Sequence, residues 1–165
     1  MAAVTRVIPL HLVTFAILSP LNTPLYIHSY TGKEDEFRYI QIAHSALDMV
    51  EEKESTVDGR GLESYLGLLC VMDDLAVYGY RTPSRVRIIV SIALMDGVIK
   101  DSDVVTICRA IHQLYIKASS NPFTMLRSST LRKDHYELLS SPLTNNQVIR
   151  TGAQALGRLL DGHRV

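Results

Sequence analysis

The residues able to do chemistry in this chain are few and scattered. His44 and His112 each fall on the flank of a predicted helix. Two imidazoles could act as an acid/base pair or as metal ligands if the fold brought them together. Standing alone, each reads as a partly exposed or packing side chain. Cys108 falls on the core side of one predicted helix and Cys70 in a predicted strand, so both read as inert buried thiols rather than nucleophiles. Asp101 and Asp103 begin a helix, without the downstream glycine and bidentate glutamate that a calcium loop needs. Asp73-Asp74 is a hairpin tip, where solvated acids are the rule. Met49, Met72, Met95 and Met125 do not cluster into a soft-metal set. The chain has no phosphate-binding loop, nucleophile elbow, zinc-protease helix or EF-hand. We therefore expect no catalytic residues, no metal ligands and no cofactor.

The composition narrows the class. At 165 residues the chain has the length of one domain and can bury a sizeable core without a metal or disulfide staple. Apolar residues make up 47% and charged residues 21%, which excludes wholesale disorder. Lysine plus arginine equals aspartate plus glutamate at 17 each, so the basic excess of a nucleic-acid binder is missing. Zero net charge gives little self-repulsion and suits a subunit of an assembly. The two cysteines have no CxxC spacing, and there is no glycosylation sequon or prenylation box. A reducing, cytoplasmic compartment is expected. The uncharged stretch Val7–Ile27 raises a membrane-span or signal-peptide reading, but Pro9, Pro20 and Pro24 interrupt it. Its best apolar run, Leu10 to Leu18, is too short to span a bilayer as a helix and lacks a cleavage site. It is expected to be a buried strand, rich in β-branched and aromatic residues.

The elements that must position these residues follow from periodicity. A turn at Ser19–Thr23 precedes a second strand, Pro24 to Ser29. Thr31 to Glu34 reads as a capping box for a helix over about Asp35 to Lys53. Its apolar rows are Ile40, Ala43, Leu47 and Val50, with Tyr39, Ile42, Ala46 and Met49 beside them. Asp58 to Gly61 is a turn or loop. Strands are expected at Tyr65–Met72, Leu75–Arg81 and Arg85–Leu94, the last apolar on both faces, so that the sheet must be covered on both sides. Asp96-Gly97 turns the chain into a helix capped by Asp101 or Ser102 and ended by Asn121-Pro122. A short helix near Leu131–Leu139 and a last helix from the capping box Thr144–Gln147 to Leu160, closed by Gly162, complete the chain. The order β-β-α-β-β-β-α-α specifies an α+β fold. It is a five-stranded antiparallel sheet with one helix on one face and two on the other, the longin-like (profilin-like) arrangement. We expect one domain over 1–165, with an N-terminal extension at 1–10 and an irregular insertion at 124–142.

Charge is uneven along this frame. Residues 33–63 hold nine acids and four bases, and residues 127–165 six bases and three acids. The first helix carries a polar stripe, Arg38, Gln41, Ser45, Asp48 and Glu52, opposite its apolar rows. A solvated face and a docking face are both open readings of that stripe.

Six short motifs lie in order along the chain. They are Pro24-Leu25-Tyr26-Ile27, the helix segment His44 to Lys53, Tyr65-Leu66-Gly67-Leu68-Leu69, Val77-Tyr78-Gly79-Tyr80, His112-x-x-Tyr115 and Asn121-Pro122-Phe123. With these the chain resembles the sedlin family of small subunits of the trafficking protein particle (TRAPP) complex, its subunit 2-like branch in particular. The resemblance runs from about Phe15 to Phe123. It implies a longin-like fold and a non-catalytic assembly or adaptor role in ER-to-Golgi and intra-Golgi vesicle tethering. It also implies other TRAPP subunits as partners, contact with a Rab GTPase only indirectly through the complex, and a cytoplasmic protein peripherally associated with Golgi membranes. Asp48 matches the acid of the family's first-helix motif, which makes the stripe Arg38, Gln41, Ser45, Asp48, Glu52 the candidate protein interface. Nucleic acid is not an expected partner.

Two rival readings need features the sequence does not supply. A ligand-sensing or enzymatic profilin-like module needs convergent polar groups in a pocket. A vesicle SNARE of the longin type needs a heptad helix and an anchor.

Overall fold

A computed structural model describes residues 10–32, 36–56, 64–72, 74–94, 99–121, 143 and 146–161. In chain order the elements are β1 (Leu12–Leu18), β2 (Pro24–Ser29), α1 (Glu36–Thr56), β3 (Ser64–Met72), β4 (Leu75–Arg81), β5 (Arg87–Ala93), α2 (Asp101–Ser119) and α3 (Gln147–Asp161). The strands form one antiparallel sheet in the order β2-β1-β5-β4-β3. The α+β, longin-like arrangement expected from the sequence is the one observed.

The sheet has a core on each face because its three inner strands are apolar on both. Tyr39, Ile42, Ala43, Ala46, Leu47 and Val50 of α1 pack on Val13, Ala16, Leu18, Leu66, Leu69, Val77 and Ile89. On the other face Val104, Ile107, Cys108 and Ile111 of α2, with Ile149 and Ala153 of α3, cover Phe15, Ile17, Tyr78, Tyr80, Ile88, Val90 and Ile92. Every residue of β1 is buried, as a strand between two others and between two helical layers must be. Leu10 also packs against the α2–α3 side.

Several expectations shift in detail. Ile40 is only half-buried, and Tyr39 and Ile42 take the central places in α1. The last strand, expected over Arg85–Leu94, runs from Arg87 to Ala93, and Leu94 lies just past its end at 43% exposure. The residue capping α2 is Lys100, in an extended conformation without a side-chain cap. Asp101 and Asp103 instead lie in the first turn, where their charges oppose the positive end of the helix dipole. Helix α2 ends at Ser119, ahead of the Asn121-Pro122 signal. At the start of α3, Asn146 accepts a bond from the Val148 N–H at 2.9 Å, and its Nδ2 donates to the Ala118 carbonyl at 3.2 Å. One side chain thus caps α3 and ties it to the end of α2. Glu34, Asp58–Gly61, Asp73, Asp96-Gly97, the short helix near Leu131–Leu139, Thr144, Gly162, residues 1–9 and the insertion at 124–142 lie outside the described residues.

Within the β3–β4 pair, two residues take a left-handed backbone. Asp74 closes the β3–β4 hairpin at φ 63°, a region that aspartate tolerates well. Gly67 has φ 73°, between two irregularities in the β3–β4 register. There the edge strand bulges and turns two of its carbonyls toward α1.

Candidate functional site

Helix α1 turns one face to the sheet and the opposite one outward. Arg38, Gln41, Ser45, Asp48 and Glu52 are all exposed and recur at steps of three or four, so the structure brings the whole candidate stripe onto one surface. His44 and Glu51 are exposed alongside it.

What holds this helix in place was not visible in the sequence. Near its C-terminal end, Glu54 accepts two bonds from Arg87 at the start of β5, at 3.1 Å from Nε and 2.6 Å from Nη2. The pair is largely shielded, with side-chain exposures of 12% and 15%. Arg87 Nη1 also donates to Asn22 Oδ1, and Asn22 Nδ2 donates to Glu51 Oε1 at 2.7 Å. Its bidentate bond to Glu54 holds the Arg87 guanidinium above its usual pKa. One fork thus joins α1, the β1–β2 turn and β5. An arginine flanked by the buried Val86 and Ile88 is a signal that a partner must exist. Its acid lies 33 positions earlier, where no local spacing points to it.

The other flank of α1 is pinned by Lys53. Its Nζ donates to the Leu66 carbonyl at 3.0 Å and the Leu68 carbonyl at 2.5 Å, on either side of the Gly67 bulge. This covers part of an edge strand that could otherwise pair with another chain.

The remaining chemical side chains are dispersed. His44 is on α1 and His112 on α2, which cover opposite faces of the sheet, so they do not meet. Cys108 is fully buried and desolvation pushes its thiol up to about 12, while burial raises Cys70 as well. Tyr65 donates to Asp101 Oδ1 at 2.9 Å, and burial with that bond keeps the phenol protonated. His28 lies among Phe15, Tyr26 and Tyr30, its ring 4.7 Å from that of Tyr30. Desolvation lowers its pKa, and the Arg150 cation of α3 adds to the effect. Tyr30 in turn donates to the Ala153 carbonyl at 2.8 Å, fastening β2's end to α3. Among the described residues no three His, Cys, Asp or Glu side chains come together as a metal set, and no helix is long and apolar enough to cross a membrane. The described residues thus present a surface and a set of structural clamps.

Comparison with known proteins gives consistent matches. A family model described as Sedlin matches residues 17–141, from the end of β1 through α2 and beyond. The chain is 36% identical over 115 residues to the trafficking protein particle complex subunit 2-like protein of Rattus norvegicus, covering 67% of this chain and 81% of the relative. The protein of the same name from Mus musculus matches to the same extent. The one from Dictyostelium discoideum is 33% identical over 115 residues, covering 68% of this chain and 81% of its own length.

Proposed function

The chain belongs to the sedlin family, and from that premise we propose that it is a non-catalytic adaptor subunit of a TRAPP vesicle-tethering complex. The observation that carries this reading is the family match over 17–141, together with similarity to relatives from rodents to Dictyostelium that are named as subunits of that complex. In this role the chain joins small core subunits to larger ones and leaves nucleotide exchange on the Rab GTPase to its neighbours. It works in the cytoplasm, peripherally on Golgi and ER–Golgi membranes. The scattered placement of His44, His112, Cys70 and Cys108 agrees with a role in assembly.

The α1 stripe is the docking face in this proposal, with Asp48 at its centre. Replacing Asp48 by lysine leaves the buried side of α1 untouched, so stability should change by no more than about 0.5 kcal/mol. An acid desolvated against a partner's cation or amide is worth roughly 2–5 kcal/mol of binding. The experiment is reconstitution with purified TRAPP subunits, read by co-purification and by release of a fluorescent nucleotide from the Rab. Asp48→Lys should melt like the wild type and drop out of the complex. Exchange should be accelerated by the complex and not by the isolated chain. Clear acceleration by the chain alone, or full retention of Asp48→Lys, would sink the respective claim.

A further inference from the structure

Leu21 is 86% exposed, more than any other large apolar side chain among the described residues. A lone exposed leucine on a slack loop would carry no meaning. This one sits on a turn held by hydrogen bonds at Ser19, Leu21, Asn22 and Thr23. Ser19 N–H donates to the Thr23 carbonyl at 2.8 Å, and Asn22 N–H to the Ser19 carbonyl at 3.0 Å. Ser19 Oγ accepts from the N–H groups of Leu21 and Thr23 at 3.2 and 3.1 Å. Asn22 holds the left-handed φ of 64° that the turn needs. Its side chain is gripped from both ends, by Glu51 of α1 and Arg87 of β5. The clamp that fixes α1 therefore also fixes the leucine beside it.

The charge around the turn has a direction. On the α1 side Asp48, Glu51 and Glu52 are exposed. Arg87 faces both Glu54 and Glu51 and so neutralises only one of them. Lys53 is drawn away to the β3 carbonyls on the other flank. The exposed Arg85 belongs to the neighbouring β4–β5 turn, off α1. An apolar tip thus stands beside a carboxylate rim.

We propose that the Ser19–Thr23 turn is a preformed docking knob, whose Leu21 enters an apolar pocket rimmed by lysine or arginine on a neighbouring protein subunit. The proposal rests on the adaptor reading above and adds to the α1 stripe the apolar anchor that a polar face by itself lacks. Binding energy concentrates in such buried anchors, while the acids steer encounter and fix orientation. A turn already rigid in the free chain loses little conformational entropy on binding.

The test is a binding isotherm of the full chain against each purified TRAPP subunit in turn, with Leu21→Ser, Asn22→Gly and Asp48→Lys beside the wild type. Leu21→Ser should melt with the wild type and bind on the order of tenfold to a hundredfold more weakly, the worth of one leucine's burial. Asn22→Gly keeps the left-handed backbone and loses both side-chain grips, so its affinity should fall by less than that of Leu21→Ser. Wild-type binding should weaken with added salt. Unchanged affinity of Leu21→Ser, with the wild type bound to a TRAPP subunit, overturns the knob and leaves the adaptor reading standing. A wild type that binds no TRAPP subunit overturns both. Self-association in light scattering that Leu21→Ser abolishes would make the occupant a second copy. Uptake by phosphatidylcholine–phosphatidylserine vesicles that Leu21→Ser abolishes would make it a lipid surface, and either result overturns the proposal.

Discussion

The Tyr30 ring occupies the space where a side chain on Gly157 would stand. A Cβ added there would lie 2.5 Å from Tyr30 Cε1, and the ring cannot swing away without giving up its bond to the Ala153 carbonyl. Gly157→Ala should therefore destabilise the protein by about 1–3 kcal/mol of overpacking, offset by only about 1 kcal/mol of helix propensity. Gly152 is the contrasting case. Its Cβ would press on the Leu114 side chain, 2.3 Å from Cδ2 and 3.2 Å from Cδ1 and Cγ, and that side chain is half-buried and can turn aside. Gly152→Ala should be close to neutral, and urea midpoints of the two variants would separate the two sites. In the sequence both glycines look like equal weak points of one helix. Only the partner across the interface tells them apart. The cysteines were more legible, because Cys108 falls in the apolar row of its helix. With its thiol at about 12 and no exposure it should resist alkylation in the native protein, while half-buried Cys70 is modified first. Peptide mapping after a short thiol-labelling pulse reads that order.

Elements were legible wherever burial imposes a period. β2 and β4 have the expected bounds, and α1 runs from Glu36 to Thr56, three residues past the expected end. Docking between elements was not legible, because it rests on pairs far apart in sequence. The fork of Arg87 on Glu54 and Asn22 is the chief example. Arg87→Ala leaves a shielded carboxylate without its cation, so a loss of about 1.5–3 kcal/mol is expected, the range for charged hydrogen bonds. Chemical denaturation measures it, and Glu54→Ala in the same background should add much less than it costs alone. The docking of β2 onto α3 carries its own pH dependence. Burial and Arg150 hold the His28 imidazole below its usual value. As pH falls below about 6.5, the unfolded chain takes up the proton first. The unfolded state then binds more protons than the native one, so stability declines with acid from there down toward the lowered pKa of His28, and this group adds no slope above it. Arg150→Gln removes one of the two causes, so His28 should titrate at higher pH in an NMR series and the acid slope should flatten.

At the scale of the whole molecule, the strand Leu12–Leu18 governs the rest. The uncharged run before Pro20 could have been a leader, and then no five-stranded sheet could be assembled. Its prolines and its β-branched, aromatic composition favour a strand. In the structure that strand is β1, bonded to β2 on one side and β5 on the other and buried along its whole length. Phe15 and Ile17 are fully buried on the α2–α3 side, and Val13, Ala16 and Leu18 face α1. β1 is thus shared by both cores, and it is the only strand through which β2 joins the sheet among the described pairings. Losing it would strip both helical layers of central contacts and strand β2 as well. Fully burying each large side chain is worth about 1.5–3 kcal/mol, and Phe15, Ile17 and Leu18 together approach the whole stability of a domain, roughly 5–15 kcal/mol. The mature protein should therefore retain Leu12–Leu18. Intact-mass measurement on the native protein decides this, and a mature start at Ser19 or Pro20 would refute it. A chain begun at Pro20 should show no cooperative melt. Amide exchange in the intact protein should be slowest in β1, β5 and β4, which have neighbours on both sides, and faster in the edge strands β2 and β3. Equal protection across all five strands would mean that β2 is held by α3, through Tyr30 and Ala153, as firmly as by β1.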